Sequence, residues 1–192
     1  MAKFGASQVD TIPSTNYRGD HHPDAGFGYQ IVLPNNMFKN HRKILVEVVS
    51  SIPHSKATMQ ALLKEYMSIP HLEHIIVVKY QESTTLASVR MVLAHYYCVG
   101  GSWMSDLYDI GGTAFDYALN WFRDNDSAEV ANEYLVGTPG APTSLTITGV
   151  RAPICLRNCH DVPVDIVNDI DFTFEFARMV ACGCSELHIG SV

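Results

Sequence analysis

The stretch Lys43-Ile44-Leu45-Val46-Glu47-Val48-Val49-Ser50 decides how the chain is read. Its aliphatic residues are mostly β-branched and stand consecutively rather than alternately, the pattern of a central strand covered on both faces. One charge, Glu47, interrupts it. Upstream, Gly26-Phe27-Gly28-Tyr29-Gln30-Ile31-Val32-Leu33 reads as a strand that Pro34-Asn35-Asn36 ends in a turn. Downstream, Ser55 is placed to cap a helix, and Met59, Leu62, Leu63, Tyr66 and Met67 recur at helical spacing until Pro70 stops the run. His74 to Tyr80 is a third strand and Ser88 to Cys98 a fourth. The first hundred residues therefore read strand, strand, helix, strand, strand. This is an α/β fold, with a mixed sheet over residues 20–100 flanked by a helix at 55–68.

Residues 101–192 read as a C-terminal α+β extension of one domain that runs from 1 to 192. Trp103 to Arg123 carries apolar residues near helical spacing, and Gly111-Gly112 divides it into a short element and a helix from about Thr113. After a loop rich in Gly and Pro at 137–142, strand patterns lie at Ser144 to Val150, Val162 to Val167 and Asp171 to Ala177. Lys3 to Asp24, broken by Pro13, Gly19 and Pro23, reads as an irregular lead-in.

The chain has 192 residues, 17% of them charged, which is too long a chain to need disulfide staples and too apolar a one to be disordered. No apolar run approaches the roughly 20 residues of a membrane-spanning helix, so no membrane role is expected. The first residues contain no apolar segment of signal-peptide length, and the five cysteines (98, 155, 159, 182 and 184) make an odd count. The expectation is an intracellular protein, cytoplasmic or nuclear, with free thiols. Residues 1–90 hold nine Lys/Arg against seven acids, a net of +2, whereas residues 91–192 hold four against thirteen, a net of −9. A polyanion such as nucleic acid would have to approach the N-terminal half, and the acidic half suits solvent or a basic protein partner.

A carboxylate beside a proline, Pro23-Asp24, precedes the lone Glu47 by 23 positions. An ionised carboxylate inside an apolar strand needs a cation, a hydrogen-bond network or a strand end open to a cleft. Two carboxylates joined across a hairpin form an oxygen-rich site suited to Mg²⁺ or Mn²⁺, ions that polarise phosphoryl oxygens and activate water. The competing reading is an edge-strand glutamate facing solvent, or one paired with Arg42, Lys43 or Lys79.

Pro23-Asp24, a short strand, a turn, Ile44 to Ser51 with its Glu47-Val48-Val49-Ser50, a helix, and Ile75 to Tyr80 together resemble the core of the PD-(D/E)XK nuclease superfamily. The likeness is to the restriction-endonuclease-like branch whose acidic strand reads E-V-x-S, and it covers roughly residues 20 to 82. It implies a restriction-endonuclease-like mixed sheet and a Mg²⁺- or Mn²⁺-dependent endonuclease, a hydrolase of nucleic acid. By position, the metal-ligand Asp falls on Asp24 and the second acid on Glu47, with the carbonyl of Val48 as a third ligand. The family's lysine, two residues after the acid, falls on Val49, which cannot orient water or offset charge on a phosphorane. In this branch the cation comes from the following helix, where the candidates are Lys64, which is preferred, and Lys56. Pairing of two copies is expected of a nuclease that cuts both strands.

Other patterns are weaker. His21 and His22 precede Asp24 and could meet metal or phosphate. Cys155-x-x-x-Cys159-His160 and Cys182-x-Cys184 offer zinc donors at uncommon spacings, and Trp103, Tyr108, Phe115, Tyr117, Trp121 and Phe122 read as core aromatics or as a base-stacking platform. Gly26-x-Gly28 and Gly100-Gly101 read as backbone devices, and no nucleophile elbow occurs. Two rival functions stand beside the nuclease. One is an inactive nuclease-fold protein that serves protein interaction, the other a small-ligand-binding or structural module.

Overall fold

A computed structural model of the chain describes residues 4–6, 24–32, 38–49, 56–69, 72–81, 90–110, 116–123, 127–150 and 170–180. The strand that holds Glu47, β3 (Phe38–Val49), lies inside the sheet between β2 (Ala25–Val32), antiparallel to it, and β4 (His74–Gln81), parallel to it. A parallel neighbour requires a crossover, and α1 (Lys56–Met67) lies in it. Ile44 and Leu45 are both fully buried, one in the cluster on each side of the sheet, as the unbroken apolar run requires.

The sheet continues from β4 through β5 (Arg90–Val99), β6 (Ser102–Ile110) and β7 (Glu129–Val136), and β1 (Phe4–Ala6) adds the opposite edge beside β2. The strand order is β1-β2-β3-β4-β5-β6-β7, antiparallel except at β3/β4 and β6/β7. A second crossover containing α2 (Asp116–Arg123) joins β6 to β7. The architecture is mixed α/β with a mixed sheet and few helices.

Each face has its own core. On one, Met59, Leu62, Leu63 and Tyr66 of α1 and Phe122 of α2 cover Leu45, Val49, Ile75, Val77, Val92, Ala94 and Leu107. Each such side chain contributes about 1.5–3 kcal/mol through the water it sheds. The other face carries Ile44, Ile76, Val78, Leu93, Tyr108 and Ile110 under a two-stranded sheet of β8 (Ser144–Val150) and β9 (Ile170–Glu175) and a helical turn at 176–180. The end of α1 is closed by Ser68, whose amide and hydroxyl both donate to the Glu65 carbonyl, and by the Ile69 amide on the Tyr66 carbonyl.

Two expectations change. The sheet does not stop near residue 100, because Gly100 and Gly101 form a two-residue hairpin turn between paired Val99 and Ser102. Their φ values of 59° and 88° are those that side chains rarely adopt. The short element from Trp103 is strand β6, and β7, unmarked in the sequence reading, completes the sheet. In β6 the residues from Leu107 to Ile110, Asp109 among them, are all buried, so the strand lacks the alternation of a half-wet strand, and its apolar residues also fit helical spacing. The strand expected at Val162 to Val167 and most of the lead-in lie outside the described residues. No helix among the described residues is long and apolar enough to cross a membrane.

Candidate functional site

Asp24 immediately precedes β2, whose register against β3 begins at Ala25 opposite Val46. One step further sets Asp24 opposite Glu47. The Val48 amide donates to Asp24 Oδ2 at 2.6 Å, fastening the exposed carboxylate to the β3 backbone. Amide and carbonyl of one strand residue point to the same side, so the Val48 carbonyl also faces the Asp24 side. The Val48 side chain is exposed.

Glu47 is only 2% exposed, on the face that α1 covers. The Tyr66 hydroxyl donates to Glu47 Oε2 at 3.0 Å. Burial first, then the charge on Glu47 and the hydrogen bond to it, push the Tyr66 phenol above its ordinary value, and the Asp24 charge pushes the same way. Both carboxylates are thus within electrostatic range of one hydroxyl, which keeps its proton and remains a donor.

The solvent-facing alternative for Glu47 is excluded by its burial in an interior strand. Lys43, another proposed partner, is bonded to Glu73 instead. Lys64 is exposed, and it lies two residues before Tyr66, a rotation of roughly 200° around the helix. It therefore stands on the solvent side of α1, away from the face that meets Glu47. Lys56 is the first residue of α1, and its side chain, like that of Arg42, lies outside the described set. Val49, where the resemblance places a lysine, is fully buried beneath α1. His21, His22, Cys155, Cys159, His160, Cys182 and Cys184 lie outside the described residues, while Cys98 is an exposed free thiol. Of the aromatics read as core, Tyr108 and Phe122 are buried, and Trp103 packs partly buried against the α1 side.

In the sequence, Tyr66 stands among the apolar positions that recur at helical spacing along α1. A hydroxyl on the buried face of α1, facing a strand with one buried acid, was the available signal. Lys79 gave another. It is the one basic residue in the His74 to Tyr80 run apart from its leading histidine, as Glu47 is the one acid in β3, and it is half-buried.

Asp24, Glu47 and the Val48 carbonyl are hard oxygen donors of the number Mg²⁺ commonly takes from a protein, with water or substrate completing its shell. No group of three or more His, Cys, Asp or Glu that could hold a metal occurs among the described residues. Compared with known proteins, the chain matches no family model, no curated protein and no solved structure.

Proposed function

We propose that the chain is a nuclease of the PD-(D/E)XK type that hydrolyses phosphodiester bonds of nucleic acid with Mg²⁺ or Mn²⁺ held by Asp24, Glu47 and the Val48 carbonyl. The observation that supports it is the seating of the Asp24 carboxylate on the Val48 amide, next to a buried glutamate, at the end of a parallel strand pair joined by a helix. Strand ends of this kind collect ligands in α/β sheets. The ion supplies Lewis acidity toward a phosphoryl oxygen and a more acidic water. Asp24 offers its carboxylate at the rim of the sheet. Glu47 is held from beneath by Tyr66, which fixes the direction of its carboxylate and shields it from solvent. The substrate approaches over the N-terminal half, whose net +2 contrasts with −9 beyond it.

A second reading has its own observation. The apolar Val49 at the expected lysine position and Lys64 on the solvent side favour an inactive nuclease-fold protein that binds a partner. The two readings separate in a cleavage assay on supercoiled plasmid, linear duplex and single-stranded RNA with Mg²⁺ or Mn²⁺. The nuclease reading expects wild-type cleavage that disappears in both Asp24→Ala and Glu47→Ala. Cleavage surviving in both variants would place the activity elsewhere, and no cleavage of any substrate would leave the binding role.

A further inference from the structure

Attack of water on a phosphodiester gathers negative charge on the non-bridging oxygens of phosphorus, and that charge must be met by fixed cations or donors. A divalent ion between two carboxylates is already neutralised by its ligands, so a further positive group belongs on the same side of the sheet. Among the described residues on that side, Lys43 is bonded to Glu73 at the far end of β3, and the register identifies one other basic residue. Glu47 pairs with Val77 and Val49 with Lys79 along β3 and β4, and residues opposite one another across a strand pair share a face. Val49 and Val77 both belong to the core beneath α1, so Lys79 emerges on the face that carries Glu47, two register pairs nearer the strand ends.

With strands about 4.8 Å apart and a two-residue rise of about 6.6 Å, the Cα atoms of Glu47 and Lys79 are roughly 8 Å apart. A flexible four-carbon stem closes such a distance. Lys79 is half-buried, and that burial pulls its ammonium below the ordinary lysine value, the mark of a charge partly withdrawn from water, where its field is screened less.

We infer that Lys79, on the strand next to Glu47, is the catalytic cation of the Asp24–Glu47 site, donating an N–H to a non-bridging oxygen of the scissile phosphate; this rests on the nuclease reading. The water oxygen forms the new bond to phosphorus, the bond to the leaving nucleoside oxygen breaks, and a proton from water ends on that oxygen. Lys79 keeps its own proton throughout. The buried Val49 and the solvent-facing Lys64 then cease to count against activity, because the charge stands one strand away from where the resemblance puts it.

The test compares wild type, Asp24→Ala, Lys79→Met, Lys79→Arg and Lys64→Met in plasmid and RNA cleavage with Mn²⁺, alongside Mn²⁺ binding by electron paramagnetic resonance and thermal melting. The expected result is a loss of about 100-fold or more in kcat for Lys79→Met. Its Mn²⁺ affinity and melting temperature should stay close to wild type, with part of the rate restored by Lys79→Arg. Wild-type cleavage that persists in Lys79→Met, or falls only in Lys64→Met, would overturn the role of Lys79 and leave the nuclease reading standing. Loss of cleavage together with Mn²⁺ binding or folding, unrescued by arginine, would make Lys79 structural and overturn it too. If wild type cuts no substrate, the nuclease reading itself falls and takes this role with it.

Discussion

The hydroxyl of Tyr66, on the inner face of α1, donates to the carboxylate of Glu47 in the middle of the sheet. One hydrogen bond thereby ties the crossover helix to the candidate site. Tyr66→Phe keeps the packing and removes the donor, and a hydrogen bond to a buried charge contributes about 1.5–3 kcal/mol. Urea unfolding of Tyr66→Phe, Glu47→Gln and the double variant should show coupling of that order. An equal loss with glutamate or glutamine at position 47 would disprove the pairing.

Divalent binding should appear as stabilisation before any substrate is known. At an Mn²⁺ concentration 100 times its dissociation constant, the wild type should gain about 2.7 kcal/mol. Calorimetric melting would reveal the gain, and it should vanish in Asp24→Ala and in Glu47→Ala. A shift of the same size in all three proteins would move the ion to another site.

Two buried tyrosines set an alkaline limit. Burial, followed by neighbouring acidic charge, pushes the phenols of Tyr66 and Tyr108 above their ordinary value. Their neutral forms are therefore favoured in the folded state. Stability is fully present below the unfolded value of about 10 and declines as pH rises beyond it, by about 1.4 kcal/mol per pH unit for each tyrosine. Tyr108→Phe should flatten this decline, monitored by tyrosinate absorbance and circular dichroism between pH 9 and 12. An unchanged alkaline midpoint would show that Tyr108 ionises without unfolding.

The acid limit comes from the other end of β4. His74 Nδ1 and His95 Nε2 share a hydrogen bond at 3.0 Å, and their rings stack with centroids 5.2 Å apart. Burial, with the neighbouring His74 adding to it, lowers His95 to about 3, and burial also lowers His74. Here the unfolded chain binds the proton more readily. Stability is complete above the unfolded value of about 6.5 and drains away as pH falls toward 3, by about 1.4 kcal/mol per pH unit for one such histidine. Urea midpoints at pH 7.5, 5.5 and 4.5 should converge for His95→Leu and spread for wild type. A parallel fall in both proteins would assign the acid sensitivity elsewhere.

Legibility in the sequence followed chemistry that repeats along a chain. β2 to β5 and α1 were readable because their apolar runs are bounded by Gly, Pro and Asn and have one periodicity each. β6 was not, since Trp103, Leu107 and Ile110 satisfy helical spacing as well as a strand buried on both faces. β7 carries Glu129, Glu133 and Asn132 among its apolar residues, as suits an edge strand with wet positions. At the site, Glu47 was marked by being a carboxylate inside an apolar strand, and Asp24 by the proline beside it and by the resemblance. Tyr66 and Lys79 acquire meaning only from register and from a helix face laid over a particular strand, and neither is visible in a linear pattern.

The Gly100-Gly101 turn has a consequence for how the molecule assembles. Partners in the β5–β6 hairpin are between 3 and 19 residues apart, whereas every partner across β3 and β4 is 30 apart. Hairpins close in roughly 1–10 μs, and longer loops carry a larger entropic cost before their contacts form. The β5–β6 pairing, like the β2–β3 pairing whose partners are 6 to 21 apart, can therefore close before β3 docks beside β4. In that order the Glu47 carboxylate would stay hydrated until α1 brings Tyr66 onto it, and no unpaired charge would enter the core.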